Sequence, residues 1–167
     1  MLLASNILPM SQVHSLWKTA SGLPVVGGVG KRAFSIAFAQ KAPYFASIHP
    51  RFTIVEPNHV ELVIPKRRSV TNHIGTVHAI ALCNGFEAAM GALAEVTIPK
   101  DKRWIPKGME VSYTAKASSD ITCIAETDQA QWDTANGDLA VRVKGVRDDG
   151  TVVGEGEIRL WVTPKSK

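Results

Sequence analysis

Cysteine is scarce: Cys83 and Cys123 are the only two in 167 residues. Two thiols cannot build a disulfide scaffold, so a reducing compartment is expected. No apolar run reaches the ~18 residues that a membrane-spanning helix needs. The opening Met1-Leu2-Leu3 has no basic flank and soon meets Asn6 and Pro9, which argues against a secretory signal and for a cytoplasmic protein. No tandem repeat or low-complexity tract is present. The five histidines, His14, His49, His59, His73 and His78, form no i,i+4 pair, so no metal site is expected.

Acids are nearly missing from the first part of the chain. Residues 1–70 hold eight Lys or Arg but only Glu56 and Glu61, a net +6, whereas the rest carries a net −2. The overall charge of +4 is therefore local. Its densest point, Lys66-Arg67-Arg68, is too short for a nucleic-acid arm, and no nucleic-acid partner is expected.

What is present suits one folded domain, with 45% hydrophobic and 20% charged residues. Apolar spacing predicts a helix over Asn6–Thr19 and a second over Lys31–Gln40, joined by a glycine-rich connector from Val25 to Gly30. That connector lacks the lysine-serine end of a phosphate-binding loop. From Phe52 the pattern turns to strands: Phe52–Val55, Val60–Ile64, Met109–Lys116, Ile121–Asp128, Leu139–Lys144 and Val152–Val162. Between them, Thr76–Glu95 is apolar and alanine-rich on nearly every face, a helix buried on all sides, with Thr76 as its expected N-cap. The expectation is an α+β protein, a curved antiparallel sheet of five to six strands wrapped around one long central helix, with extra N-terminal helices. Residues 1–50 read as a helical extension packed on a domain spanning 51–167.

One residue in the central helix is out of place. Glu87 has Cys83, Asn84, Met90 and Gly91 at the helical neighbour positions and no cation among them. A desolvated carboxylate without a cation is a candidate general base or acid. The alternatives are escape to solvent or pairing with a distant arginine such as Arg142. The helix start is the second feature. Backbone N–H groups around Gly75-Thr76-Val77-His78-Ala79 lie at the positive end of the helix dipole and can hold a developing oxyanion. Cys83 and His78 fall on different helix faces, so Cys83 is expected as a buried thiol rather than a nucleophile. Tyr113 and the four tryptophans are expected in the core and at interfaces.

Thr71-Asn72-His73-Ile74-Gly75-Thr76-Val77-His78, with an acid fifteen positions after Asn72, resembles the hotdog-fold acyl-CoA thioesterases of the phenylacetate-pathway (PaaI) type. Their pattern is Asn, two residues, Gly-Thr, one residue, His-Gly-Gly, then Asp or Glu on the central helix. The match is strongest over residues 70–90, and the strand order extends it to the C-terminus. The N-terminal part resembles a hotdog branch of unknown function. The resemblance implies Glu87 as general base or nucleophile, Asn72 positioning water or thioester, and the Ala79 N–H polarising the thioester carbonyl. Gly75 and His78 would border the substrate, and Lys66, Arg67 and Arg68, or Lys100, Lys102 and Arg103, would hold the phosphates of coenzyme A. The thioester is the substrate; no cofactor is implied. Both glycines after the histidine are replaced, by Ala79 and Ile80, and the stretch Trp104–Gly108 lacks the hydroxyl that some relatives place there.

Ala79 and Glu87 stand eight residues apart, ~12 Å along one helix. They cannot both reach one carbonyl carbon, so a homodimer or homotetramer is required if both act. The expected function is acyl-CoA hydrolysis. The rivals are a non-catalytic acyl-CoA or lipid-binding hotdog dimer and a hotdog hydratase or dehydratase.

Overall fold

The computed structural model describes residues 10–22 and 27–165. Helix α1 (Met10–Ser21) and helix α2 (Gly27–Lys41) lead through a short 3-10 helix (Pro43–Ile48) into the hairpin β1 (Arg51–Glu56) and β2 (His59–Ile64). A second 3-10 turn (Arg68–Val70) precedes the long helix α3 (Ala79–Thr97). Strands β3 (Lys102–Tyr113) and β4 (Ile121–Glu126), helix α4 (Gln129–Thr134), and strands β5 (Gly137–Arg147) and β6 (Val152–Pro164) complete the chain.

The six strands form one sheet in the order β1-β2-β4-β5-β6-β3, and every neighbouring pair is antiparallel. Alternation is clean where one face is buried: β2 sends Val60, Leu62 and Ile64 inward, and β4 sends Ile121, Cys123 and Ala125. These residues meet α3, which packs against all six strands. Thirteen of the nineteen α3 residues are buried, so its apolar composition reflects enclosure by the sheet on one side and by α1 and the 43–48 turn on the other. Its length and composition would also suit a membrane span, but this helix forms the core of the fold. Close approach to the sheet requires Gly85: a Cβ there would lie 2.5 Å from Ile64 Cδ1 and 2.7 Å from Cys123 Sγ. This is the hotdog fold, a curved antiparallel sheet around a central helix.

The N-terminal helices share an aromatic cluster with the sheet. Phe34 meets Trp17 of α1 at 5.1 Å and Phe52 of β1 at 5.4 Å between ring centroids, and Phe38 meets Phe52 at 4.9 Å and Phe45 at 6.0 Å. Such edge-to-face and stacked pairs add stabilisation beyond the area they bury.

Several element boundaries differ from expectation. Asn6–Pro9, Val25 and Val26 lie outside the described residues. Gly27–Gly30 is the first turn of α2 rather than part of a connector. Gly30 is needed there because a Cβ would run into the Ala20 carbonyl of α1. Strand β3 begins at Lys102, not Met109, and its register slips between Pro106 and Gly108, as a proline without an N–H imposes on a ladder. It ends at Tyr113, before the expected Lys116. Helix α4 was not foreseen. Its signal is the Gln131 side chain accepting from the Asp128 N–H at 2.9 Å, half of a capping box, above the buried Trp132.

Candidate active site

The segment entering α3 is built around Asn72. Its Oδ1 accepts from the Ile74 N–H at 3.2 Å and the Thr76 N–H at 3.1 Å, and its Nδ2 donates to Thr76 Oγ1 at 2.9 Å. The backbone closes the same loop, with the Asn72 N–H on the Thr76 carbonyl and the Gly75 N–H on the Asn72 carbonyl. Gly75 takes φ 76°, the left-handed region that glycine enters without strain. Val77 is buried and forms a β-bridge with Thr71, which delays the helix. The N-cap is therefore His78, not Thr76: its Nδ1 accepts from the Ile80 N–H at 3.0 Å. Ala79 is the first helical residue, so its N–H has no acceptor within the helix. The exposed Ile80 side chain stands beside it.

Glu87 is half-buried, two turns further along α3. Among the described residues its carboxylate makes no hydrogen bond or ion pair, and Arg142 instead pairs with Asp128 at 3.1 Å. Glu87 opens on a largely apolar chamber of about 500 Å³ lined by Leu16, Phe38, Phe45, Met90, Gly91 and Trp104, with Lys41 also at its wall. Glu95, eight residues on, lines the same chamber. Its Oε1 accepts from Trp104 Nε1 at 3.0 Å. Burial holds the Glu95 carboxyl above its ordinary pKa, opposed by the Trp104 hydrogen bond and the Lys165 charge.

Sequence reasoning missed Asn84. It is 5% exposed, and its Nδ2 donates to Ser47 Oγ at 3.0 Å and to the Tyr44 carbonyl at 3.3 Å. Its Oδ1 is buried without a partner. The residue lines a second cavity of about 190 Å³, together with Thr71, His78 and Ile80. An amide at a buried position of the alanine-rich helix, three residues before Glu87, was the available signal. Cys83 also departs from expectation: it is half-buried, and its Sγ lies 3.1 Å from the hydroxyl of the exposed Tyr113 on β3. That hydrogen bond is the main reason the Tyr113 phenol is pushed up to about 12, with burial and the thiol's charge adding to it. Cys123 is the fully buried thiol, its pKa raised chiefly by burial.

The three cations of the basic triplet have different surroundings. Lys66 Nζ donates to the Ser118 carbonyl at 3.0 Å, and its N–H to Asp120 Oδ1 at 2.7 Å. Arg67 turns into a cleft beside α2, and Arg68 is exposed in the 68–70 turn. Lys102 Nζ is tied to the Trp132 and Asp133 carbonyls, and Arg103 Nε to Thr163 Oγ1. Asn72, Gly75, His78, Ala79 and Glu87 thus share α3 and the loop entering it, and the 68–70 turn that carries Arg68 leads directly into that loop, with Thr71 Oγ1 on the Arg68 carbonyl at 3.1 Å.

The chain belongs to the family described as a domain of unknown function, DUF4442, which matches residues 30–162. It is 44% identical to a structural-genomics target protein of known structure, over 93% of this chain and 99% of that one, with a TM-score of 0.79. A Pseudomonas aeruginosa protein of unknown function, PA5026, whose name carries the words "Probable Thioesterase", is 22% identical over 77% of this chain and 91% of its own, with a TM-score of 0.71. A thioesterase family protein from Silicibacter pomeroyi is 18% identical over 80% of this chain and 99% of its own, with a TM-score of 0.65. At these identities, the last two show the shared hotdog fold. No curated protein matches the chain.

Proposed function

We propose that the protein is an acyl-CoA thioester hydrolase that works as a homodimer. The observation that carries this reading is Glu87: a half-buried carboxylate with no cation or donor on it among the described residues, at the wall of an apolar chamber. The acyl group occupies the chamber and the thioester carbonyl sits at its mouth. Glu87 takes a proton from water as the water oxygen attacks the carbonyl carbon. The tetrahedral oxyanion is held by an α3 N-terminus, where the Ala79 N–H is free of intrahelical acceptors, and collapse expels the thiolate of coenzyme A. Asn72 acts as a positioning residue, since its side chain holds the turn that aims Ala79. The thioesterase name of the Silicibacter pomeroyi neighbour supports the same class.

Two features support the dimer. Glu87 and Ala79 stand ~12 Å apart on one helix, so a second copy must supply one of them to each site. Strand β3 is a sheet edge of twelve residues, paired among the described residues only with β6 and carrying the exposed Ile105 and Tyr113. A long edge with exposed apolar residues is a template for another strand, and a second β3 fits it.

The test is thiol release from acyl-CoAs of short, medium, long and aromatic chain, with Glu87→Gln alongside. The expected loss is ~10²–10⁴-fold, the usual worth of a positioned general base. Hydrolysis that survives Glu87→Gln unchanged removes the mechanism. A second reading, acyl-CoA binding without hydrolysis, is favoured by one observation: Ile80, 55% exposed at the helix start, stands where the thioester must approach. Tight binding without thiol release selects it.

A further inference from the structure

The positive charge of the N-terminal part converges on a cleft outside the Glu87 site. The cleft has a volume of about 750 Å³ and lies between α2, the end of the 43–48 turn and the start of β1. Lys31, Arg32, His49, Arg51 and Arg67 line it, and among the described residues no carboxylate does. Lys31 is committed: its Nζ donates to the Thr53 carbonyl at 3.0 Å and lies over the Trp17 ring. The guanidinium groups of Arg32, Arg51 and Arg67 form no hydrogen bond or ion pair among the described residues.

The two acids of the first seventy residues face other partners, and Asp120, beside Lys66, accepts from the Lys66 N–H at 2.7 Å. Glu56 pairs with His14 at 3.3 Å and Glu61 with His59 at 3.0 Å. Glu56 ends β1 at the hairpin turn, and Arg51 begins it, five residues and ~17 Å away along the strand. Three uncompensated guanidinium groups around one concavity cost self-repulsion, which an anion relieves. Planar guanidinium forks match phosphate oxygens bidentately. Gly28, in the first turn of the fifteen-residue α2, brings the positive helix end to the same cleft. Ile36, Ala39 and Pro50 supply an apolar floor, and the volume falls in the range of small-molecule sites.

We propose that this cleft is a binding site for a phosphate-bearing ligand of nucleotide size, with Arg32, Arg51 and Arg67 holding the phosphates and the Ile36–Pro50 floor taking the apolar portion. The chemistry is a phosphate ester, supplied by a soluble nucleotide or by a lipid headgroup. The site stands independently of the hydrolase reading.

The test uses the full chain. ADP, adenosine and inorganic phosphate are titrated calorimetrically at low and high salt, and vesicles of phosphatidylcholine with and without phosphatidylserine are tested by co-sedimentation. The double variant Arg51→Gln/Arg67→Gln runs beside Lys18→Gln, an exposed cation on α1 outside the cleft. ADP is expected to bind below 1 mM, adenosine not to bind, the double variant to weaken ADP at least tenfold, Lys18→Gln to change nothing, and salt to weaken binding. Binding of phosphatidylserine vesicles but not ADP, lost in the double variant, assigns the phosphate to a headgroup. Absence of binding to ADP and to vesicles, or binding indifferent to Arg51 and Arg67, overturns the proposal. Thermal melts of the variants separate lost binding from lost fold.

Discussion

Asn84 and Glu87 stand three residues apart on α3, yet they open on two different cavities. One turn of the central helix therefore carries a polar group toward each compartment. Asn84 ties the helix to the 43–48 turn, and Glu87 is left without a partner among the described residues.

Asn84→Ala removes both hydrogen bonds to that turn. Net contributions of ~1 kcal/mol per hydrogen bond predict a loss of ~1–2 kcal/mol in unfolding free energy, measurable as a lower urea midpoint at unchanged m-value. A variant as stable as the parent contradicts the role given to Asn84.

Gly91 lines the apolar chamber, where among the described residues a Cβ would meet only the Trp104 ring, at 3.8 Å. Gly91→Ala is expected to fold normally, whereas Gly91→Leu fills the chamber. Glu87 to Glu95 spans ~12 Å of helix. An extended chain advancing ~1.25 Å per methylene, from bonds of ~1.52 Å at ~111°, fits about ten carbons in that length. Thiol release should peak near ten carbons in the parent and shift toward four carbons in Gly91→Leu. An unshifted chain-length profile would place the acyl group elsewhere.

Glu95 makes stability pH-dependent with a defined sign. Its folded-state pKa is raised by burial, so the folded protein binds the proton more tightly than the unfolded chain. Its contribution is fully present below the ordinary glutamate pKa and is lost as pH rises through the raised value. Glu95→Gln keeps an oxygen acceptor for Trp104 Nε1 and never ionises. It should therefore raise the melting temperature at pH 7 and make little difference at pH 4. Equal effects at both pH values would rule out the ionisation as the cause.

Ile105 lies across from Trp161 on the β3–β6 ladder, and both are exposed. Sedimentation velocity should show a dimer at micromolar concentration. Ile105→Glu should shift it to monomer and cost thiol release by the same mechanism that makes two copies necessary. A fully active monomer would refute the shared site.

Gly85→Ala should cost ~1–3 kcal/mol, because its methyl group would overlap Ile64 and Cys123 in a filled core. Denaturant melts measure this directly.

The fold class was legible because its signals are local. Alternating residues such as Val60, Leu62 and Ile64 mark strands, and the alanine-rich stretch around Phe86 and Met90 can only be a buried helix. Element starts were less legible. Thr76 has the chemistry of an N-cap, but Val77 is drawn into a bridge with Thr71, and the cap passes to His78. Gly27–Gly30 looks like a connector by composition, yet contact with α1 makes the small residues useful inside a helix.

Glu87 stood out from the sequence because its helical neighbours are fixed by a period of 3.6 residues, so the missing cation could be counted without a structure. The composition likewise located the basic excess in the first seventy residues. Only the tertiary structure decided where those charges meet. Within the Lys66-Arg67-Arg68 run, Arg67 joins Arg32 and Arg51 from other elements. The chamber at Glu87 and the orphaned Asn84 oxygen are likewise products of chain closure. A helix or strand is set by residues a few positions apart, whereas a cavity is set by which distant surfaces the packed core brings face to face.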